Sequence, residues 1–212
     1  MTTKTQIEAS VKKLLEESKG KKKFKQSIDF IVNFKDVDFK KPENRPVIDV
    51  TLPTQARATK ICVFADSAVA LEAKNANADL VIDSNTLPQY ASDKKKQKEL
   101  DQYFFLATPP MMAVVGKTLG QFLGARGKLP RPIPPNANLK VLIEVSKRAF
   151  QLKSKGKYLP VLHCIVGNEE MPIEKIVENV QTVIESIEKK IPEGNVKSIY
   201  LKATMGKPVR VI

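Results

Sequence analysis

The chain has 212 residues, of which 42% are hydrophobic and 28% are charged, so it can bury the core of one or two globular domains. Its 36 lysines and arginines outnumber its 23 aspartates and glutamates, and the net charge of +13 favours a polyanionic partner such as nucleic acid. Two cysteines exclude a disulfide framework, and the apolar runs are too short to span a bilayer. Because residues 1–17 are polar, we expect no signal peptide and a cytoplasmic location.

The first quarter of the chain predicts one helix and two strands. A stripe of apolar residues at helical spacing predicts the helix, which we expect Gly20 to end. A lysine-rich loop follows, and residues 27–34 then alternate strictly, as in a strand with one buried face. Residues 47–52 predict a second strand, which Pro53 ends. The helical stripe consists of Ile7, Val11, Leu14 and Leu15, and the buried strand face of Ile28, Phe30, Val32 and Phe34.

The middle of the chain predicts a parallel sheet with covering helices. Residues 61–65 form a continuous apolar run, which is typical of a strand buried on both faces. The helices and strands that follow alternate in the manner of a small α/β domain. In chain order we predict a helix over 67–75, strands over 80–82 and 103–106, a helix over 111–119, a Gly/Pro-rich loop from Gly120 to Pro135 and a helix over 138–147.

Antiparallel patterns return after Phe150. Residues 151–153 and 158–166 flank a turn at Ser154–Lys157 and predict a hairpin. Residues 171–190 have the clearest helical pattern of the chain, with Pro172 in the first turn and one apolar face. Residues 196–203 predict a final strand.

Each end of the chain has too few elements to bury its own helix. We therefore predict an α/β and α+β fold with two domains. Residues 1–57 and 150–212 would form a two-layer α+β domain, and residues 58–149 an inserted α/β domain. The two chain crossings, near residues 57 and 150, would act as a hinge.

Two glycine-containing motifs suggest phosphate binding, but neither is sufficient evidence for it. Gly116-Lys117-Thr118 resembles the end of a nucleotide phosphate loop, yet the required earlier glycine is Met111. A nucleotide-binding enzyme that uses the central domain is therefore the weaker alternative. Gly124-Ala125-Arg126-Gly127 has the GxxG form that grips nucleic-acid backbone in some domains, but an ordinary glycine-rich turn explains it more simply.

Other catalytic or metal-binding patterns are weak. His163 and Cys164 are neighbours on a predicted strand, so they point to opposite faces and would not share a metal. We predict no enzyme activity, no metal and no cofactor. A DNA-binding repressor is a further alternative, but the sequence has no helix-turn-helix signal.

The two segments that best suit nucleic acid lie at opposite ends of the chain. In Lys19–Lys25 the lysines can contact phosphate while Phe24 offers an apolar face to a sugar or base, although a solvated loop is the alternative. Near the other end, hydroxyls and a glycine that permits close approach suit RNA phosphates and 2′-hydroxyls. These residues are Ser198, Tyr200, Thr204, Met205 and Gly206.

Four segments resemble, in the right order, landmarks of the ribosomal protein L1 family, and more its archaeal branch than its bacterial one. They are Phe24–Asp29, Ile61–Ala65, Gly124–Pro130 and Thr204–Gly206. The resemblance covers essentially the whole chain. It implies a terminal RNA-binding domain that carries an inserted, Rossmann-like three-layer α/β domain.

The resemblance also implies a function. The protein would be a structural constituent of the large ribosomal subunit that binds large-subunit (23S-type) rRNA at the mobile stalk. It would assist release of deacylated tRNA from the exit site and repress translation by binding its own operon mRNA. We expect a monomer off the ribosome and no membrane partner.

Carried over by position, the resemblance implies a set of RNA-binding residues. Ser27 stands where family members often have threonine, and Ala125 where proline is commoner. An acid at position 29 would accept a hydrogen bond from a ribose 2′-hydroxyl or hold Ser27 or Thr204 in place. The implied set is Lys23, Phe24, Lys25, Ser27, Asp29, His163, Gly167, Ser198, Thr204, Met205 and Gly206.

Overall fold

A computed structural model describes residues 4–18, 20, 22–39, 41, 44, 46–134, 137–154 and 159–212. Lys19 and Lys21 of the lysine-rich loop, Pro135 of the Gly/Pro-rich loop and residues 155–158 around the predicted turn lie outside these ranges. The chain divides into two compact units. The terminal unit combines Met1–Arg57 with Arg148–Ile212, and the inserted unit is Ala58–Lys147.

Helices and strands occur in both units. They are α1 (Lys4–Ser18), β1 (Ser27–Phe34), β2 (Val47–Thr51), β3 (Lys60–Phe64), α2 (Ser67–Asn75), β4 (Leu80–Ile82), α3 (Leu87–Ser92), α4 (Lys94–Leu100), β5 (Tyr103–Ala107), α5 (Pro109–Thr118), α6 (Gly120–Ala125), β6 (Arg131–Pro132), α7 (Leu139–Arg148), β7 (Ala149–Lys153), β8 (Val161–Asn168), α8 (Ile173–Glu188), β9 (Val196–Ala203) and β10 (Pro208–Arg210). Among the described residues, no helix combines the length and the hydropathy that a membrane span requires.

The terminal unit is a two-layer α+β structure. Its antiparallel sheet has the order β10-β9-β1-β8, and one sheet face packs on α1 and α8. The alternation predicted for β1 is confirmed, because every second residue from Ile28 to Phe34 is buried. Full burial of such side chains stabilises a fold by about 1.5–3 kcal/mol each. The core therefore fixes which side chains of β1 face away from the helices.

The hairpin predicted around residues 151–166 is wrong. β7 pairs with β2, from Val47↔Lys153 to Thr51↔Ala149, whereas β8 pairs with β1 in the other sheet. The turn signal predicted a reversal of the chain but not the partner of each strand. Leu162 and Val166 are buried in the core beneath the helices. This burial stabilises β8 at the edge of the four-stranded antiparallel sheet.

The inserted unit has the predicted three-layer α/β architecture. Its parallel sheet has the order β4-β3-β5-β6. Alternate residues of β3 enter two cores on opposite faces: Cys62 and Phe64 pack in one, and Ile61 and Val63 in the other. A continuous apolar run is what a strand needs when both its faces are covered.

The sequence missed three short helices in this unit. α6 lies within the segment predicted as a loop. Leu123 in α6 and Leu119 directly before it are buried one helical turn apart, and Gly127 (φ 63°) follows the helix end. α3 was not predicted either. α4 is polar over most of its length, with Leu100 its buried residue, so no apolar periodicity marks it.

Candidate nucleic-acid interface

The start of β1 and the turn after β9 are joined by backbone and side-chain hydrogen bonds. The Thr204 hydroxyl accepts from the Ser27 N–H at 3.2 Å and donates to the Ser27 carbonyl at 3.2 Å. The Thr204 N–H also donates to that carbonyl, at 3.1 Å. Two segments that are 177 positions apart in the sequence therefore form one corner of the sheet.

The buried side chain of Gln26 forms hydrogen bonds to three segments at the same corner. Gln26 is 1% exposed, and its Oε1 accepts from the Met205 N–H at 3.1 Å. Its Nε2 donates to the Ser18 carbonyl at the end of α1, at 3.0 Å, and to the Glu169 carboxylate after β8, at 3.3 Å. Three neighbouring segments are thus tied to one side chain. Gln26 was not predicted as a site residue, because a single glutamine before a strand has no pattern that marks it.

The exposed side chains at this corner combine apolar and cationic character. Phe24 is 49% exposed and Met205 is 62% exposed, although both are large apolar residues. Lys22 and Lys23 are also exposed. We call residues 22–25, Ser27 and residues 204–206 the strand-end surface. Its apolar groups can pack on bases or sugars, and its cations can neutralise phosphate.

The turn that carries Met205 is tight. The Gly206 N–H donates to the Ala203 carbonyl at 2.9 Å. A Cβ added at Gly206 would lie 3.1 Å from the Cβ of Ala203, so a larger residue would push the turn away from the strand. Glycine at this position therefore keeps the turn close to the end of β9.

Lys25 is the one predicted phosphate contact that already has an anionic partner in the described structure. Its Nζ lies 2.8 Å from the Glu170 carboxylate, and both side chains are largely exposed. The hydrogen bond and charge of Glu170 raise the pKa of Lys25 above its ordinary value. A phosphate that contacts Lys25 would compete with this ion pair, which solvent screens.

Asp29 and His163 lie on the sheet face that points away from α1 and α8. Asp29 pairs in register with Lys202 of β9, and His163 pairs with Ile31. Partial burial raises the pKa of Asp29, while the nearby charges of His163 and Lys202 act in the opposite direction. The bonds found on Thr204 go to the backbone of Ser27 and not to Asp29, so accepting from a ribose 2′-hydroxyl and holding the Ser27 side chain both stay predictions for this carboxylate.

Besides Asp29 and His163, two further predicted RNA-binding residues, Ser198 and Gly167, lie outside the strand-end surface. Ser198 is buried and accepts a hydrogen bond from Asn33 at 3.0 Å, six residues or about 20 Å of strand before Thr204. Gly167 lies beneath α8, where an added Cβ would be 3.2 Å from both Met171 and Ile176. Any role of Ser198 and Gly167 in RNA binding stays a prediction.

The phosphate-loop and metal alternatives gain no support. Gly116, Lys117 and Thr118 are all helical, within α5. His163 is exposed while Cys164 packs on the core, where burial raises the pKa of its thiol. In the part of the chain that is described, no group of three histidines, cysteines or acids could hold a metal ion.

Comparison with known proteins identifies the family. Residues 14–207 match the ribosomal protein L1p/L10e family. The chain belongs to this family. The large ribosomal subunit protein uL1 of Thermofilum pendens is 43% identical over 209 residues, which cover 97% of this chain and 92% of that protein. The uL1 of Methanothermobacter thermautotrophicus is 42% identical over 212 residues, 98% of this chain and 99% of that protein.

Membership of the L1 family confirms the resemblance inferred from the four sequence segments, including its archaeal character. It is a family of ribosomal proteins and not of enzymes, so the nucleotide-binding enzyme is no longer a competing interpretation. A ribosomal protein with this fold acts by binding, and the chemistry of the strand-end surface suits a polyanion.

Proposed function

We propose that this L1-family protein is a structural component of the large ribosomal subunit and that its terminal unit binds large-subunit rRNA at the mobile stalk. The observation that carries the proposal is the exposure of Phe24 and Met205 beside lysines, on a corner whose backbone is held by Ser27, Thr204 and Gln26. Two large apolar side chains exposed on one corner and rimmed by cations are typical of a binding surface, unlike an apolar residue exposed singly.

The proposed contacts divide into two kinds. Lys23 and Lys25 neutralise phosphates, which contributes affinity that falls with salt. Phe24 and Met205 pack on sugars or bases, and Thr204 and Gly206 let the backbone approach the RNA closely. Because the corner is already ordered by its own hydrogen bonds, little conformational freedom is lost when RNA binds.

We further propose that Asp29 and His163 extend this contact along the outer sheet face, with Asp29 accepting from a ribose 2′-hydroxyl. Ser198 and Gly167 would support the surface through packing. In the ribosome the protein would assist release of deacylated tRNA from the exit site. Off the ribosome it would be a cytoplasmic monomer that represses its own operon mRNA through the same surface.

The test is the affinity for a transcribed stalk fragment of large-subunit rRNA, measured at two salt concentrations beside its DNA counterpart. We expect tight binding that is selective for RNA and largely survives the higher salt, because apolar and hydroxyl contacts are less screened than phosphate contacts. Weak binding that collapses with salt and ignores the sugar would reduce the protein to a non-specific polycation and refute the proposal.

A further inference from the structure

Gln26 satisfies every polar group of its side chain within the protein. One backbone N–H faces Oε1, while a backbone carbonyl and a carboxylate face Nε2, so the orientation of the amide follows from its partners. At 1% exposure the amide cannot itself reach a ligand. Its bonds end in α1, in the segment after β8 and in the turn that carries Met205.

The hydrogen bond between Gln26 and the Met205 N–H is the one that bears on RNA binding. Met205 is 62% exposed and follows Thr204, whose hydroxyl is bonded to Ser27. With Gln26 present, the Met205 N–H is directed inward, and this fixes the backbone from which the exposed side chain projects. Without the amide oxygen, that N–H would need another partner, and the turn would have to move to find one.

We propose that Gln26 is a positioning residue for RNA binding: by accepting from the Met205 N–H, it holds the Thr204–Gly206 turn in the conformation that contacts RNA. This inference rests on the proposed function. Gln26 lies outside the predicted set of contact residues, and it acts through Met205 alone.

Gln26→Met tests the inference with little change of side-chain length. It removes the acceptor for Met205 and both donors. We expect stalk-RNA affinity to fall about tenfold, which corresponds to roughly 1.4 kcal/mol. The salt slope should stay unchanged because no phosphate contact is lost, and hydrogen exchange of the Met205 amide should become faster.

The matched control is Ile187→Ala, a cavity in the same core at the far end of α8. Ile187 is buried and lies 14 residues, or about 21 Å, along the helix from Ile173. It should destabilise the terminal unit without changing RNA affinity or the exchange of the Met205 amide. A residue that acted only through stability would make the two variants behave alike.

A charge exchange gives a second test that does not depend on Gln26→Met folding. Gln26→Glu places a carboxylate beside the Glu169 carboxylate and the Ser18 carbonyl, and this repulsion should displace the acceptor from the Met205 N–H, so affinity should fall. Adding Glu169→Gln restores a donor opposite the new carboxylate and should recover part of the affinity, although the Ser18 carbonyl still lacks its donor. Absence of recovery in the folded double variant would overturn the inference.

Different results would refute RNA binding and the positioning role of Gln26. If wild type does not bind stalk RNA selectively, the proposed function falls and the role of Gln26 falls with it. If wild type binds tightly and folded Gln26→Met binds equally well, only the positioning role is wrong. Loss of affinity in Gln26→Met, with retention in Ile187→Ala, supports the inference.

Discussion

Thr204→Val tests the hydroxyl of Thr204 without changing the shape of the side chain. Valine keeps the β-branched outline but removes the oxygen that bridges the Ser27 N–H and carbonyl at 3.2 Å each. The backbone bond from Thr204 to the same carbonyl, at 3.1 Å, does not depend on the side chain. The corner should therefore still form, but without a group that can rearrange to meet an RNA hydroxyl.

The size of the effect follows from hydrogen-bond energies. A typical protein hydrogen bond contributes about 0.5–1.5 kcal/mol net to stability. Thr204 is exposed, so water can replace the lost hydroxyl and the cost in unfolding free energy should stay near the lower end. In the RNA complex water is excluded, and stranding a polar partner there should cost at least about 1 kcal/mol of binding free energy, or about fivefold in Kd.

A filter-binding titration against the stalk fragment measures this change, with thermal denaturation to establish that the variant is folded. Thr204→Ser is the control, because it keeps the hydroxyl and loses only a methyl group; its affinity should stay close to wild type. If folded Thr204→Val binds the stalk fragment as tightly as Thr204→Ser does, the hydroxyl takes no part in RNA recognition, and Thr204 is not part of the RNA-binding site.

Three further changes test the electrostatics of the terminal unit. Lys23→Gln should lower the slope of log affinity against log salt by about one, because one phosphate contact is lost; an unchanged slope in titrations at several salt concentrations would place Lys23 away from phosphate. Glu170→Gln frees Lys25 from its ion pair and should raise RNA affinity at low salt, and a decrease would mean that Glu170 itself assists binding. Asp29→Asn should stabilise the fold at pH 7. Since burial raises the pKa of Asp29, its charge costs folding free energy above that pKa, and the cost disappears as the pH falls towards the ordinary value. The gain in melting temperature should therefore shrink at pH 4, and a variant less stable than wild type at pH 7 would contradict this sign.

Elements with one strong periodicity were predictable from the sequence. β1 and α8 each have an uninterrupted apolar pattern, and both lie where that pattern predicts. α4 was missed because its lysines leave no apolar stripe, and α6 because its glycines suggested a loop. The hairpin failed for a different reason: the partner of β7 is decided by tertiary packing, which local turn chemistry does not specify.

The candidate site was predictable only in its exposed part. Phe24 was selected from the lysine-rich loop and Met205 from the C-terminal segment, the family resemblance then implied both, and both are exposed. Nothing in the local pattern pointed to Gln26, since its importance depends on Ser18, Glu169 and Met205 meeting in space. The resemblance also implied Ser198, which is buried and accepts a hydrogen bond from Asn33, and its role in RNA binding stays a prediction.

The most direct measurement of the central claim compares two equally exposed apolar surfaces in one binding assay. Met205 is 62% exposed and Leu71, in the inserted unit, is 63% exposed. We predict that Phe24→Ala combined with Met205→Ala weakens stalk-RNA binding at least tenfold, since stacking contributes about 1–3 kcal/mol per base. Leu71→Ala should bind like wild type. Equal affinity of all three proteins would contradict the claim that the strand-end surface binds RNA.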